Sequence, residues 1–340
     1  MIDCMINNPI DIFYLTGVAL SKGILLVLKD KKYLIVDSRY YETAKNKASD
    51  FEVIKATDFY NEYMTILDRE KIKRLELDGN TVFANDFEAI KGYMPLIKLS
   101  CKKELGETLN NMRMIKSPPE IKQIMNAQRL TEKAFEHTLP FIKKGVPECE
   151  IAAEIDMFVR KNGGYPAFQT IVISGKNSSL PHGEPSQKLL EDGDFVVIDF
   201  GAQLEHYCSD MTRTVGIGHL SDRQINVYET VLEAQKKALE KIRPGQLCKD
   251  IDKAARKFID KTEFKGTFEH GLGHGVGLQV HEQPNFNTRC ETILVPGMVL
   301  TVEPGIYLEG EFGVRIEDMI IVTENGHENI TTVNKELLIL

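Results

Sequence analysis

Tryptophan is absent from the 340 residues, so no indole can wall a binding pocket. No apolar run approaches the ~20 residues of a membrane-spanning helix, and the N-terminal stretch has no basic region leading into an apolar one, so neither a membrane span nor a secretory signal is expected. Basic residues are the minority: 42 Lys and Arg against 50 Asp and Glu leave a formal charge of −8. That balance argues against nucleic acid or an anionic membrane surface as the main partner. The six cysteines (4, 101, 149, 208, 248, 290) include no CxxC and no paired spacing. They read as reduced thiols of a cytoplasmic protein rather than a disulfide framework. Low-complexity segments and a glycine-rich phosphate loop are also missing, which leaves a nucleotide role without support. What remains, 42% hydrophobic and 27% charged, is ordinary globular composition at a length that suits two domains.

The first hundred residues alternate short apolar runs with amphipathic patches. GILLVLKD, KKYLIVD, FEVIKA and RLELDG read as strands; SRYYETAKNKA, NEYMTILDRE and TVFANDFEAIKGYM read as helices, the last capped at Asn80 or Thr81. This predicts a small α/β domain. A charged hinge is expected over 101–120, with the domain boundary near 112–117, so that residues 1–112 form one domain and 113–340 the other. Ser117-Pro118-Pro119-Glu120 marks a helix start. Beyond it, helices expected at 148–162, 221–242 and 247–260 interleave with antiparallel hairpins, which predicts an α+β domain.

Two of those hairpins carry paired acids. In DFVVIDFGAQLEHYCSD (194–210), folding about Leu204-Glu205 sets Asp199 directly opposite Asp210. In EPGIYLEGEFGVRIE (303–317), a three-residue loop around Gly310 sets Glu303 opposite Glu317. Directly opposed residues share a face with Cβ atoms roughly 4.5–5.5 Å apart, and carboxylates so placed in a half-buried sheet repel one another unless a cation lies between them. Taken alone, the first pair could equally be one solvated and one buried aspartate. Between the hairpins lies HGLGHGVGLQVH (270–281), three histidines among glycines that permit tight strand packing. Carboxylates and a neutral imidazole are oxygen and nitrogen ligands suited to divalent Mn, Co or Zn. Cys208, two residues before Asp210, is expected on the same face. His137, His206, His219 and His327 lie outside these stretches and read as surface or capping residues.

Taken in order, LPHGEPS, VVIDFGA, CSDMTRTVGIG, HGLGHGVGLQVHE, GMVLTVEPGIY and GVRIEDM resemble the pita-bread (creatinase/aminopeptidase) metallopeptidases, and most closely their proline-specific branch, the Xaa-Pro aminopeptidases and Xaa-Pro dipeptidases (prolidases). IDIFYLTG and MIKSPPEI extend the likeness to a creatinase-type N-terminal domain and an interdomain helix. The resemblance implies an α+β pita-bread catalytic domain behind a smaller α/β domain. It implies two divalent metal ions per chain, manganese before cobalt or zinc, on Asp199, Asp210, His274, Glu303 and Glu317. It further implies His182 and His281 beside the substrate, His270 and Arg315 behind the ligands, and a homodimer acting on proline-containing peptides. In such enzymes a metal-bridging hydroxide attacks the scissile carbonyl, and the residue at Glu303 shuttles the proton to the departing nitrogen. Tyr307 reads equally as a substrate neighbour or a packed tyrosine.

Two departures stand out. Relatives usually begin with a further helix, whereas only MIDCMINNP precedes IDIFYLTG, which puts the packing of the first domain and any dimer contacts in question. Similar prolidases often carry an arginine shortly after the His281 position, where it holds a dipeptide's free carboxylate; here Gln283-Pro284-Asn285 stand there and Arg289 is the next arginine. The missing guanidinium favours an Xaa-Pro aminopeptidase, with the dipeptidase as the alternative. A metal-free amidinohydrolase, a non-catalytic binding module and a methionine aminopeptidase are the remaining readings. The five intact ligands weigh against the first two, and the extra N-terminal domain against the third.

Overall fold

A computed structural model describes residues 3–340, which fall into a first compact unit ending at Arg113 and a second running Met114–Leu340.

The first unit is a six-stranded mixed sheet with helices on both faces. Its strands are β1 (Cys4–Ile6), β2 (Gly23–Val27), β3 (Lys32–Val36), β4 (Glu52–Lys55), β5 (Arg74–Asp78) and β6 (Lys98–Lys102), in the order β4-β3-β2-β1-β5-β6. The helices are α1 (Pro9–Thr16), α2 (Tyr41–Lys47), α3 (Phe59–Arg69), α4 (Ala84–Tyr93) and α5 (Lys103–Met114). Successive strand residues serve opposite cores, as a period of two requires. Leu25 and Leu34 pack with Ile12, Ala44 and Leu109, whereas Leu26 and Ile35 pack with Tyr63, Leu67 and Ile90.

Two expectations fail here. Asn80 and Thr81 do not cap α4, whose cap position is Phe83 with no side-chain bond. Instead the Asn80 N–H and the Thr81 hydroxyl donate to the Asp78 carboxylate at 2.9 and 3.0 Å, a local turn that competes with capping. The charged stretch 101–120 is also no irregular hinge: it comprises the end of β6, all of α5 and a helix start at Ser117.

The second unit begins with α6 (Pro118–Thr138), opened by a Ser117–Glu120 capping box, and α7 (Glu148–Lys161). There follow β7 (Tyr165–Pro166), β8 (Ile171–Ser174), β9 (Phe195–Phe200), β10 (Ala202–Leu204), β11 (Tyr207–Cys208) and β12 (Met211–Gly216), then α8 (Asp222–Leu239) and α9 (Cys248–Ile259). The chain closes with β13 (Gly273–Gly275), β14 (Glu282–Phe286), β15 (Val299–Val302), β16 (Gly305–Leu308), β17 (Phe312–Arg315), β18 (Asp318–Thr323), β19 (Gly326–Asn329) and β20 (Leu338–Ile339). Two sheets dominate, β20-β12-β9-β8 and β14-β13-β15-β18-β19. Apolar residues of α6 and α7 pack on β9 and β12, and those of α8 and α9 pack on β15 and β18. Among the described residues no helix is long and apolar enough to cross a membrane.

The first acid hairpin is offset from its expected register. The ladder pairs Asp199 with Thr212, not Asp210. The turn lies at Glu205-His206, both with positive φ (48° and 70°), the geometry of a tight two-residue hairpin turn without glycine. The offset is two residues, so Asp210 keeps the face of Thr212 and therefore that of Asp199. Cys208, by contrast, belongs to the separate β11-β10-β7 ribbon, where its thiol donates to the Leu278 carbonyl (3.7 Å) and burial pushes its pKa up to about 11. In the second hairpin, Val302 pairs with Asp318 and Gly305 with Arg315, leaving Glu303 across from Glu317. Gly310, at φ 72°, supplies the left-handed residue of the loop.

Candidate metal centre

Each acid reaches the centre from a strand end, and Asp210, Glu303 and Glu317 each have a polar side chain two residues away on the same face. Thr212 follows Asp210; its hydroxyl donates to Glu317 Oε2 (2.7 Å) and accepts from Arg315 Nε (3.2 Å). Thr301 precedes Glu303, donating to Glu303 Oε1 (3.1 Å) while accepting the His274 N–H (3.1 Å). Arg315 precedes Glu317 and donates to Asp199 Oδ2 at 2.6 Å. The Glu317 N–H donates to the Thr212 carbonyl (3.1 Å), which joins the two hairpins. His274 lies at the centre of β13, where the sheet can close only over glycines: a Cβ on Gly273 would come within 2.1 Å of the Thr301 carbonyl oxygen.

The resulting cluster is acidic and largely buried. His274 Nε2 is 3.3 Å from Glu303 Oε1 and 3.6 Å from Asp210 Oδ2. Ligand atoms of Asp210, His274 and Glu317 all lie within 4.8 Å of one another. Asp210 and Glu317 are 4% and 1% exposed, yet Asp210 Oδ1, Glu317 Oε1 and Asp199 Oδ1 have no hydrogen-bond partner among the described residues. Burial, reinforced by neighbouring carboxylates, holds Asp210 and Glu317 well above the usual carboxylate range. Burial also raises Asp199, against the pull of Arg315. Glu303 goes the other way: its burial is outweighed by the His274 hydrogen bond and charge, which bring it down to about 2. His274 rises because its interactions with Glu303 outweigh its own burial.

Buried carboxylate oxygens left unpaired cost free energy unless something positive meets them. An all-oxygen-and-imidazole donor set of this kind fits hard to borderline divalent cations. These residues therefore fit a metal.

A cavity of about 410 Å³ opens beside the cluster, walled by Phe168, Pro181, His182, His270, His281 and Asn285 among others. His182 and His281 stand in its wall as expected. His281 lies against His274 with ring centroids 4.3 Å apart, and partial burial followed by the His274 charge pushes it down. His270 also lines the cavity, lowered chiefly by burial. Tyr307 sits behind it rather than in the wall: its hydroxyl meets His270 Nε2 (2.9 Å) and Arg315 Nη1 (2.8 Å). Arg315 also donates to the Pro181 carbonyl (3.2 Å), next to His182. Arg289 is exposed and outside the cavity, whereas Asn285 and Asn287 are in its wall. His137 meets Glu154, His327 meets the Ile242 carbonyl, and neither these nor His206 and His219 line the cavity.

Several contributors escaped the sequence reading. Thr212 and Thr301 were legible in principle, since each lies two positions from a ligand on the same strand face. Glu148 was not. Fully buried at the start of α7, it accepts the Ser174 and Ser186 N–H and hydroxyl groups and the Asn177 amide, fastening both ends of the segment that carries His182. Asp252 and Arg256 of α9 likewise grip the histidine segment, Asp252 through the Leu272 N–H and Arg256 through the Phe268 and His270 carbonyls.

The family profile described as metallopeptidase family M24 matches residues 122–324, and that of the creatinase/prolidase N-terminal domain matches residues 3–115. An Xaa-Pro dipeptidase of Pyrococcus furiosus is 38% identical over 335 residues, covering 98% of this chain and 94% of that protein. Among solved structures, an Xaa-Pro dipeptidase from Bacillus anthracis superposes with a TM-score of 0.96 at 38% identity, covering 99% of this chain and 95% of that one. An X-Pro aminopeptidase from Thermotoga maritima MSB8 gives 0.93 at 39% identity, covering 100% and 98%.

Proposed function

The chain belongs to metallopeptidase family M24, as a pita-bread domain behind a creatinase/prolidase N-terminal domain, and from that premise we propose that it is an Xaa-Pro dipeptidase hydrolysing free dipeptides that end in proline. The observation that carries a hydrolytic metal site is the gathering of His274 with Asp210 and Glu317, each of which buries a carboxylate oxygen that has no partner among the described residues. Asp199, Asp210, His274, Glu303 and Glu317 would hold two divalent ions, manganese ahead of cobalt or zinc. When bound, such ions polarise a carbonyl and lower the pKa of water from about 15.7 toward ~7.

The chain's own residues do the rest. His182 and His281, in the cavity wall, present ring N–H groups to the oxyanion that forms on the scissile carbonyl. Glu303, ionised and held by His274 and Thr301, takes a proton and delivers it to the departing nitrogen. Proline's imino nitrogen has no N–H in the peptide bond, so that delivery is obligatory. Arg315 keeps Asp199 oriented and, through Tyr307, fixes His270.

The dipeptide preference rests on the names borne by the relatives and on a cavity of small-peptide size. It departs from the aminopeptidase reading that the missing arginine favoured. Asn285 and Asn287 would meet the free carboxylate through their amides, a weaker hold than a guanidinium. That substitution, and the likeness to the Thermotoga aminopeptidase, keep Xaa-Pro aminopeptidase as the second reading. A cytoplasmic homodimer belongs to the same proposal, supported by the reduced cysteines and the family resemblance; sedimentation would report its mass.

The test is hydrolysis of Ala-Pro, Ala-Pro-Ala and Met-Ala-Ser after chelation and with Mn, Co or Zn restored. Metal-dependent cleavage of Ala-Pro is expected. Much faster cleavage of Ala-Pro-Ala would return the aminopeptidase reading, and cleavage of Met-Ala-Ser alone would move the chain to the methionine branch.

A further inference from the structure

Gln235 is a polar residue on the apolar face of α8. It is fully buried, and its neighbours along that face, Val231, Leu232 and Ala238, belong to the cluster that packs on β15 and β18. Its side-chain nitrogen donates to two backbone carbonyls, those of Val302 (3.0 Å) and Ile316 (3.3 Å). Its Oε1 is buried with no hydrogen-bond partner among the described residues. Leucine or methionine would serve the packing without stranding an oxygen, so the reason for an amide here lies in its two donated bonds.

Those carbonyls belong to the residues immediately before Glu303 and Glu317, where the hairpin's own bonding is interrupted. The ladder runs as far as Val302 with Asp318 and resumes at Gly305 with Arg315. In the gap, the Glu303 N–H turns away to the Leu272 carbonyl (2.8 Å) and the Glu317 N–H to the Thr212 carbonyl (3.1 Å), so neither glutamate's amide crosses to the other arm. The Ile316 N–H does cross, to the Pro304 carbonyl at 3.4 Å, but Pro304 has no N–H to return.

We propose that Gln235 is a positioning residue for the metal centre: its amide bridges the interrupted ladder and sets the separation of Glu303 from Glu317. Each carbonyl it holds shares a rigid peptide plane with the Cα of the glutamate that follows, so tying the two carbonyls together orients both Cα atoms. The two N–H donors of one amide group diverge at a fixed angle, which makes the bridge a spacer as well as a tether. Glu303 and Glu317 therefore stand at their working separation before an ion arrives, and binding does not have to order the hairpin that carries them. The inference rests on the metal site proposed above and is independent of which peptide is cleaved.

Two variants of the full chain test it. Gln235→Met removes both donors and the stranded oxygen at similar volume; Gln235→Glu keeps the shape, and its buried acid, facing two carbonyls, keeps its proton and offers one donor. Chelated parent and variants are titrated with Mn²⁺ by calorimetry and with Co²⁺ by visible absorption, and are unfolded in urea without metal. Metal affinity should fall about 10–100-fold in Gln235→Met, the range for losing a group that orients a metal ligand, and less in Gln235→Glu. The Co²⁺ bands should change shape in the same order, while the urea midpoints of the chelated variants stay near the parent's. Unchanged affinity and spectrum would overturn the bridge, and a lowered urea midpoint on its own would leave Gln235 a packing residue. If Gln235→Met does not fold, Gln235→Glu decides on the same readouts. A parent protein that takes up neither ion would instead overturn the metal site, and the bridge with it.

Discussion

Glu317 and Asp318 are neighbours at the start of one strand, both buried, and the alternation of side chains sends them to opposite sides. Asp318 is met on every side. Arg213 donates to its Oδ1 at 2.8 Å, and Asn329 and Lys335 donate to its Oδ2. Glu317 has one hydroxyl, that of Thr212, and a free oxygen among other acids. The residues behind them repeat the contrast, since Arg213 serves Asp318 while Thr212, one position earlier, serves Glu317. One side of the strand is therefore a finished polar network that holds the fold. The other is left incomplete, with a buried carboxylate oxygen that a bound cation would satisfy.

The contrast can be broken most forcefully at Glu317. Glu317→Gln should cut kcat/KM by roughly 10²–10³-fold or more, the scale of removing one electrostatic stabiliser of a transition state, and should lower bound metal. The chelated protein should unfold no more easily than the parent, because a buried carboxyl whose charged form is disfavoured gives way to a neutral amide. Steady-state kinetics, metal analysis and denaturant titration report all three, and marked destabilisation would place Glu317 in the same class as its neighbour.

Asp318→Ala tests the other side. Stranding Arg213, which is 2% exposed, should cost about 3–5 kcal/mol of stability. Added metal should not restore it, as urea unfolding with and without manganese would show.

The smallest effect sharpens the comparison through pH. Asp210 and Glu317 titrate above their unfolded values, so the folded apo protein holds protons that the unfolded chain has already released. Their contribution is present below the ordinary carboxylate range and is lost as pH rises through the raised values. Chelated protein should therefore lose stability with rising pH across that window. Metal-loaded protein should show a shallower slope, and parallel slopes would remove the argument for an uncompensated cluster.

How far the site could be read from residue order depended on turn chemistry. Gly310 announces a left-handed position, and with it the loop and the pairing of Glu303 with Glu317 follow. Glu205-His206 adopts left-handed backbone with no glycine or asparagine to signal it, so the turn falls one residue beyond Leu204-Glu205 and the partner of Asp199 moves by two. An even offset preserves the face, which is why Asp199 and Asp210 still converge. The α4 cap was misjudged because Asp78 competes for Asn80 and Thr81. Glu148 was beyond reach, since nothing near it in the chain hints at partners 26 to 38 residues away.

The fastening of the 174–186 segment has a consequence for molecular recognition. Its base is tied to Glu148, the Gly313 N–H donates to Ser178 Oγ at 2.8 Å, and Arg315 holds the Pro181 carbonyl. The wall bearing His182 is thus ordered when the chain folds, and a ligand arriving later need not immobilise it. Conformational entropy that a floppy lid would surrender at each encounter has been spent beforehand. On this side of the cavity, then, a ligand meets a wall whose shape is set before it arrives.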